Sequence, residues 1–330
     1  MEYKTLIDTN KIPTIGFGTD LIPEGETIIN AVTWAIECGY RLIDNADCYN
    51  NQKGVGIAIK NCIDRGIITR NDIFLTSKVP DWKQGYDETI QCCNNSLQEM
   101  GVEFFDLYLV HSPMRGTGEK WWESVSETYR ALIDLQGGGK IKSIGVSNFA
   151  ERHLFKLFEV YPEVRPVINQ IELHPQHQQK NCVDLCNKSY IICEAWGALN
   201  QGRIFTNKVF DYIGKKYNKT QAQIAIKWGL QKGFIPLVRS INKNHIQNNI
   251  KVFDFKLSVE DISLLDSLDG GEFSNMHDDS LFMGNHNNTT TLSYIYRLFG
   301  FIPFLKKKQY NPNKTKYFLF GIPIVKINKQ

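Results

Sequence analysis

Short apolar runs alternate along the chain with longer segments in which apolar residues recur at helical spacing. Several short runs are apolar at consecutive positions, which is typical of parallel strands covered on both faces. The longer segments tend to stop at glycine, as before Gly39 and Gly101, where helices commonly end. The pattern predicts eight strands: Ile12–Thr19, Arg41–Ala46, Ile73–Val79, Phe105–His111, Ile141–Asn148, Val167–Leu173, Tyr190–Trp196 and Phe234–Ser240.

Helices are predicted between these strands, over Gly25–Gly39, Asp87–Met100, Glu123–Leu135, Glu151–Val160, Asn181–Lys188 and Thr220–Gln231. Strand followed by helix, repeated along the chain, predicts an α/β fold, the closed parallel (β/α)8 TIM barrel. The alternative is an open doubly wound sheet, which should carry a Gly-x-Gly-x-x-Gly turn after an early strand. Gly16-Phe17-Gly18 is followed by Thr19-Asp20 without the third glycine, which argues against the open sheet.

The barrel pattern ends near Leu268, where Ser258–Leu268 is predicted as one more helix with Ser258 as its N-cap. We therefore expect a barrel over residues 1–271 and a C-terminal extension over residues 272–330. The extension runs from a polar stretch into apolar and aromatic stretches. Three interpretations of it stay open: a cap on the barrel mouth, an interaction tail, or an apolar hairpin on the surface.

Composition is ordinary for a soluble enzyme. The 330 residues are 42% hydrophobic, and the net charge of +3 does not indicate a nucleic-acid partner. No signal-peptide pattern begins the sequence, and no apolar run is long enough to span a bilayer. The eight cysteines include no CxxC pair, which suits free thiols in a reducing compartment. We expect a cytoplasmic protein.

Four polar residues lie at or just after the ends of three successive predicted strands: Asp44, Tyr49, Lys78 and His111. Barrels build their active sites from those strand ends. A phenol with a pKa of about 10 is a poor acid near neutral pH. An ammonium at ~4 Å, worth ~4 kcal/mol at an effective dielectric of ~20, could lower that pKa by roughly 3 before desolvation opposes it. We predict that Tyr49 protonates a carbonyl oxygen, Lys78 tunes Tyr49, Asp44 orients Lys78, and His111 donates a hydrogen bond to the substrate.

A Schiff-base aldolase that uses Lys78 is the alternative enzyme. The carboxylate of Asp44 would keep Lys78 protonated, which weighs against it. A metal pair at His174-Pro175-Gln176-His177 is disfavoured because Pro175 breaks the helical spacing, and we expect no metal.

Over roughly residues 3–270 the sequence resembles the aldo-keto reductase superfamily. The matching stretches are Gly16–Thr19, Gly39–Ala46 with Tyr49, Thr76–Lys78, Asp106–Pro113, Gly145–Phe149, Asn169–Pro175 and Glu194–Gly197. The resemblance implies an oxidoreductase that acts on CH–OH groups, with an Asp-Tyr-Lys-His tetrad, a nicotinamide dinucleotide bound without a Rossmann fold, a small carbonyl substrate, and a monomer. The alternative is a cofactor-binding regulatory or interaction subunit with little turnover.

The resemblance also implies which residues bind the cofactor. Ser147, Asn148 and Gln170 would bind the nicotinamide carboxamide. Trp196, where a tyrosine is usual, would stack on the nicotinamide ring. The predicted cofactor set is Gly18, Thr19, Asp44, Ser147, Asn148, Gln170, Trp196, Gly197, Leu199, Arg239, Ser240, Asn242, His245 and Asn249. Arg239-Ser240 matches a Lys-Ser pair that grips the 2′-phosphate, which favours NADPH, with NADH as the alternative.

Some positions depart from the family pattern. His245 stands where an arginine usually flanks the phosphate, which would weaken the preference for NADPH. Asp20 stands where an apolar tryptophan often lines the substrate pocket, and a carboxylate there would disfavour anionic substrates. We predict Asp20, His111 and Trp121 as residues that contact the substrate.

Overall fold

The computed structural model describes residues 1–113, 121–271 and 274, and the backbone of residues 292–298, 302–311, 314–319 and 322–328. The chain divides into two compact units, Met1–His277 and Asp278–Gln330. The predicted boundary after residue 271 stays a prediction. Within the described residues, no helix is both long enough and apolar enough to cross a membrane.

The first unit is a closed barrel of eight parallel strands, which confirms the predicted (β/α)8 fold. An antiparallel hairpin, β1 (Tyr3–Thr5) and β2 (Lys11–Pro13), precedes it. In the barrel, neighbouring strands follow chain order, and β10 closes the ring against β3. The barrel strands are β3 (Gly16–Gly18), β4 (Leu42–Asp44), β5 (Phe74–Val79), β6 (Phe105–Val110), β7 (Ile141–Ser147), β8 (Ile168–Glu172), β9 (Ile192–Trp196) and β10 (Ile235–Val238).

The hairpin corrects one prediction, that of a single strand over Ile12–Thr19. Pairing with β1 ends at Pro13, and the barrel strand starts afresh at Gly16. The break lets Leu6 and Ile12 join Leu42 in the apolar cluster inside the barrel. A Cβ at Gly16 would lie 2.5 Å from Leu237 Cδ2, so close packing of strands requires glycine there. The hairpin thus closes the end of the barrel at which the strands begin, the barrel base.

Helices cover the barrel in the described part of the first unit. They are α1 (Glu26–Glu37), α2 (Gln52–Asp64), α3 (Tyr86–Met100), α4 (Trp121–Gly137), α5 (Glu151–Val160), α6 (Lys180–Lys188), α7 (Lys208–Tyr217), α8 (Gln221–Gln231), α9 (Lys243–Asn249) and α10 (Val259–Asp266). The sequence did not predict α2, α7 or α9. In α2, Gly56 lowers the helical signal of the sequence. The glycine is needed because a Cβ there would lie 2.1 Å from Met100 O of α3. As predicted, Ser258 caps α10 by accepting a hydrogen bond from Asp261 N.

Two apolar clusters determine which side chains face inward. Phe74, Leu107 and Leu109 belong to a small cluster inside the barrel, whereas Leu75 and Val110 belong to the large cluster between strands and helices. Strand side chains alternate between the two faces of a sheet, so every second residue after an inward-facing one also faces inward. Counting in this way from the members of the small cluster in each strand places five polar residues inside the barrel, near the C-terminal ends of their strands: Asp44, Lys78, His111, Gln170 and Glu194. We call this end the barrel mouth.

The described backbone of the second unit is a four-stranded antiparallel sheet whose strands pair in chain order. They are β11 (Leu292–Leu298), β12 (Ile302–Asn311), β13 (Lys314–Leu319) and β14 (Ile322–Asn328). The sequence did not predict a four-stranded sheet, and the role of the extension stays open.

Candidate active site

The ammonium of Lys78 is the centre of a buried polar cluster at the barrel mouth. Lys78 is fully buried, and its Nζ donates to Asp44 Oδ2 at 2.9 Å, to Asn45 O at 2.9 Å and to Tyr49 Oη at 3.1 Å. Three acceptors match the three hydrogens of an ammonium. Asp44 is only 4% exposed and supplies the compensating charge. The structure therefore brings together three of the four predicted catalytic residues with hydrogen-bond geometry.

A buried amide network holds the turn that carries Tyr49. Tyr49 ends a short 3₁₀ turn, Asp47–Tyr49, between β4 and α2. Asn45 Nδ2 donates to Thr19 Oγ1 at 2.8 Å and to Asn51 Oδ1 at 2.7 Å, and Asn51 Nδ2 donates to the carbonyl of Thr19 at 2.8 Å. These bonds tie the ends of β3 and β4 to the start of α2. Thr19, predicted as a cofactor contact, thus also supports the catalytic turn.

The pKa of Tyr49 corrects the sequence argument. Burial of the hydroxyl, together with the carboxylates of Asp44 and Asp20, raises the pKa of the phenol well above its usual value. The prediction expected the pKa to fall, with burial as a smaller opposing effect, whereas burial and the charges of Asp44 and Asp20 raise it. The phenol stays protonated, which is the form that donates a proton. Lys78, donating to the phenolic oxygen, is placed to stabilise the phenolate that such a transfer leaves.

His111 lies beside Tyr49, as predicted, and has a neighbour that the sequence did not reveal. The two rings meet edge to face with centroids 5.7 Å apart. His111 Nδ1 lies 3.5 Å from Cys48 Sγ. Burial raises the pKa of the Cys48 thiol to about 11, so this sulfur carries its proton at neutral pH. A thiol that donates to Nδ1 would leave the imidazole hydrogen on Nε2.

Gln170 links the tetrad to a second buried acid. Gln170 Nε2 donates to Asp44 Oδ1 and to Glu194 Oε2, both at 2.8 Å. Glu194 is fully buried inside the barrel. Burial, and then the charge of Asp44, raise the pKa of Glu194 to about 8. The sequence analysis did not select Glu194, although a carboxylate in an otherwise apolar strand was a usable signal, because burying a charge is costly.

The other residues predicted at the nicotinamide form a chain of hydrogen bonds across the ends of β7, β8 and β9. Trp196 Nε1 donates to Asn148 Oδ1 at 2.9 Å, and Asn148 Nδ2 donates to the carbonyl of His111 at 2.9 Å. Ser147 Oγ donates to the carbonyl of Gln170 at 2.8 Å. Asn148 has a φ of 61°, a left-handed conformation that asparagine tolerates. The chain fixes these groups beside His111; their role in binding a cofactor stays a prediction.

Asp20 and Arg239 join the ends of β3 and β10. Arg239 donates from Nη1 to the carbonyl of Asp20 at 3.0 Å. Burial raises the pKa of the Asp20 carboxyl, and the charges of Arg239 and Lys78 oppose that rise. The charges of Lys78 and Asp44 thus act on this carboxyl, and its contact with a substrate stays a prediction.

The remaining predicted cofactor residues lie in two loops. Gly197 has a φ of 66° and begins the loop after β9 that continues through the half-buried Leu199. Ser240 Oγ accepts from Asn242 N at 3.0 Å, and Asn242 caps α9. His245 is exposed and Asn249 is buried.

The contact of Trp121 with a substrate stays a prediction. Trp121 lies in the first turn of α4, with its ring 4.6 Å from that of His153 and 5.4 Å from that of Trp122. Among the described residues, no contact joins Trp121 to the tetrad. Over the same part of the chain, no cluster of three or more His, Cys, Asp or Glu is arranged to hold a metal.

Comparisons with known proteins agree with this geometry. The sequence model of the Aldo/keto reductase family matches residues 14–270. The glyoxal reductase of Bacillus subtilis is 38% identical over 271 residues, which cover 82% of this chain and 94% of the relative. The 9,11-endoperoxide prostaglandin H2 reductase of Trypanosoma cruzi is 38% identical over 283 residues, covering 85% and 96%. The crystal structure of a Bombyx mori aldo-keto reductase in complex with NADP matches with a TM-score of 0.76 at 30% identity, covering 87% of this chain and 99% of that one.

Proposed function

This chain belongs to the aldo/keto reductase family, and from that premise we propose that it reduces aldehydes and ketones to alcohols with NADPH. One observation carries the proposal: a protonated phenol, Tyr49, lies 3.1 Å from a buried ammonium, Lys78, at the barrel mouth. All residues with proposed roles lie within residues 1–271, so the barrel unit of a single chain would suffice.

The proposed chemistry divides between the cofactor and the protein. NADPH, when bound, supplies the hydride. Tyr49 donates its proton to the carbonyl oxygen as negative charge develops there. Lys78 holds the resulting phenolate, and Asp44 holds Lys78 in place. His111 donates a hydrogen bond to the same substrate oxygen and orients the carbonyl.

Two features of the barrel mouth fit a nicotinamide dinucleotide. A Cβ at Gly18 would meet nothing nearer than Val238 O at 3.9 Å outside its chain neighbours, so protein packing does not require this glycine. Gln170 uses its N–H groups on Asp44 and Glu194, and the described residues offer no donor to its Oε1. An open surface and a free amide oxygen suit a ring that carries a carboxamide.

The preference for NADPH rests on Arg239. It is an exposed guanidinium beside Ser240, and a guanidinium can bind a phosphate through two hydrogen bonds. The complex of the Bombyx mori relative with NADP supports the same cofactor. The relatives named as reductases of glyoxal and of methylglyoxal support a small, reactive dicarbonyl substrate.

The test is a cofactor and substrate screen on the purified full-length protein. NADPH and NADH consumption is followed by absorbance with a panel of small dicarbonyls, aromatic aldehydes and ketones, and alcohol products are identified by mass spectrometry. We expect NADPH-dependent alcohol formation with at least one reactive aldehyde, and a lower kcat/KM with NADH. Absence of nucleotide oxidation with every carbonyl in the panel would contradict the proposal.

A further inference from the structure

One amide at the barrel mouth is held between two buried carboxyl groups. The same nitrogen of Gln170 donates to Asp44 Oδ1 and to Glu194 Oε2, each at 2.8 Å. The three residues come from different strands, β4, β8 and β9. Asp44 has a clear reason to be there, because it is the counterion of Lys78. Glu194 makes no contact with Lys78 or Tyr49 among the described hydrogen bonds, so its presence needs another explanation.

The geometry determines which way the amide faces. A glutamine amide has two hydrogens on nitrogen and an acceptor oxygen. Both hydrogens of Gln170 are used by Asp44 Oδ1 and Glu194 Oε2, and the proton of a neutral Glu194 is left to the other oxygen of that acid, which has no hydrogen-bond partner among the described residues. Oε1 must therefore face away from Asp44 and Glu194, and within the described residues it accepts no hydrogen bond. An amide fixed in this way presents one acceptor and no donor to whatever binds at the mouth.

We propose that Glu194 is a positioning residue that fixes the Gln170 amide with its carbonyl oxygen toward the nicotinamide carboxamide. The inference rests on the proposed function, because it assumes that a nicotinamide binds beside Gln170. The carboxamide NH₂ is a donor, and a fixed acceptor binds it without first losing rotational freedom. An amide in place of Glu194 could offer its own N–H to Gln170 Oε1 and so occupy the oxygen that the cofactor needs.

Ionisation of Glu194 should make cofactor binding depend on pH, which a purely structural role of the residue would not. The titratable groups that act on it are Asp44 from β4 and Lys78 from β5, and its pKa is raised to about 8. Glu194 is therefore neutral below that pH and anionic above it. The oxidised nicotinamide ring is cationic and the reduced ring is neutral. Ionisation of Glu194 thus favours the oxidised cofactor over the reduced one.

The experiment measures equilibrium binding of NADPH and NADP⁺ to the full-length protein by quenching of tryptophan fluorescence, at a series of pH values on both sides of about 8. The variants are Glu194→Gln and a matched control, Asp106→Asn. Asp106 is also a buried carboxylate on a barrel strand, but it lies at the barrel base and binds Arg70 and Lys142. Thermal unfolding of each variant is recorded alongside.

We expect Glu194→Gln to weaken NADPH binding about tenfold, the effect of losing one well-placed hydrogen bond. In the wild type, the affinity for NADP⁺ relative to NADPH should rise as the pH passes through about 8, and in Glu194→Gln the ratio should stay constant. Because the ratio cancels ionisation of the 2′-phosphate, which both forms share, it isolates a group near the ring. Asp106→Asn should lower the unfolding temperature and leave both affinities within about twofold.

Each result decides between distinct conclusions. Wild-type protein that binds neither nucleotide overturns the proposed function, and this inference with it. Wild-type protein that binds both, together with a Glu194→Gln variant of equal affinity at every pH, overturns the inference alone. If Glu194→Gln does not fold, the wild-type protein still tests the inference. A ratio of NADP⁺ affinity to NADPH affinity that stays constant as the pH passes through about 8 contradicts the assigned role.

Discussion

The two ends of the barrel each bury a carboxylate against cations, and they do so differently. At the base, Asp106 accepts from Arg70 and Lys142, both at 2.9 Å, and from Leu75 N at 3.0 Å. At the mouth, Asp44 accepts from Lys78 and Gln170, and the hydrogen bonds continue to the hydroxyl of Tyr49. The base network uses both oxygens of Asp106, although the buried Nε of Arg70 has no partner among the described residues. The mouth network ends in a phenol hydrogen and an amide oxygen that the described residues leave available.

The comparison distinguishes a network that stabilises the fold from one that is available for catalysis. Residue types are nearly the same at both ends, so a buried ion pair by itself does not indicate a catalytic site. What distinguishes the mouth is that a phenol hydroxyl and an amide oxygen, both with unused hydrogen-bonding capacity, are joined through Lys78 and Asp44 in one network. Such groups are costly in a folded protein unless a ligand uses them. The predictions below test this difference.

The largest effect is expected from Tyr49→Phe, which removes the hydroxyl at the open end of the mouth network. Loss of a positioned general acid should lower kcat about 10³-fold. NADPH affinity should change less than about twofold, since the proposed cofactor contacts are elsewhere. Steady-state kinetics with a reactive aldehyde and fluorescence titration measure the two quantities. A variant that reduced the aldehyde at the wild-type rate would remove Tyr49 from the mechanism.

Asp106→Asn breaks the network of hydrogen bonds at the base. We expect the free energy of unfolding to fall by about 2 kcal/mol, because two cations and a backbone N–H lose a charged acceptor while the cations can still reach water. Urea denaturation measures this loss, and kcat per folded molecule should stay at the wild-type value. A large fall in kcat without a loss of stability would contradict this separation, because Asp106 at the base would then affect catalysis at the mouth.

The pH dependence of stability should differ between wild type and Glu194→Gln. The pKa of Glu194 is raised to about 8 in the folded protein from about 4.5 in the unfolded chain. Between these values the folded state holds one more proton, so its stability falls as pH rises. The wild type should lose about 1.4 kcal/mol per pH unit relative to Glu194→Gln between about pH 6 and about pH 8. Parallel stability profiles for the two proteins would mean that Glu194 is already ionised at the lower pH.

Asp20→Asn should produce the smallest effect. Removing a partly exposed carboxylate near the mouth should raise kcat/KM for aldehydes that carry a carboxylate about threefold to tenfold, with little change for neutral aldehydes. Burial raises the pKa of Asp20, so in the wild type the discrimination should weaken as the pH falls and Asp20 gains a proton. Equal changes for both substrate classes would mean that the Asp20 carboxyl does not face the substrate.

The sequence predicted the barrel because its strands are continuous apolar runs and its helices end at glycine. It missed α2, where glycine serves helix packing and lowers the helical signal, and it merged β2 with β3 because Ile12 and Phe17 are both apolar. The inward-facing residues were predictable in principle from the strand period. The cost of burying a charge is a signal that applies to Lys78 in β5 and equally to Glu194 in β9.

Other parts of the site depend on tertiary structure. The contact of Cys48 with His111 is set by the 3₁₀ turn, whose conformation depends on the buried amides of Asn45 and Asn51. The pKa of Tyr49 went the other way from the prediction because the depth of its hydroxyl and the position of Asp20 are properties of the folded protein. Trp121 lies in a helix whose packing against His153 no local pattern indicates.

A double-mutant cycle on kcat tests most directly whether Lys78 acts through Tyr49. Lys78→Met, Tyr49→Phe and the double variant are compared with wild type at saturating NADPH, after circular dichroism has confirmed that each is folded. If the ammonium serves the phenol, Lys78→Met alone should lower kcat about 10²-fold, and adding it to Tyr49→Phe should cost little more. Losses that multiply in the double variant would contradict the account, because the two residues would then act independently.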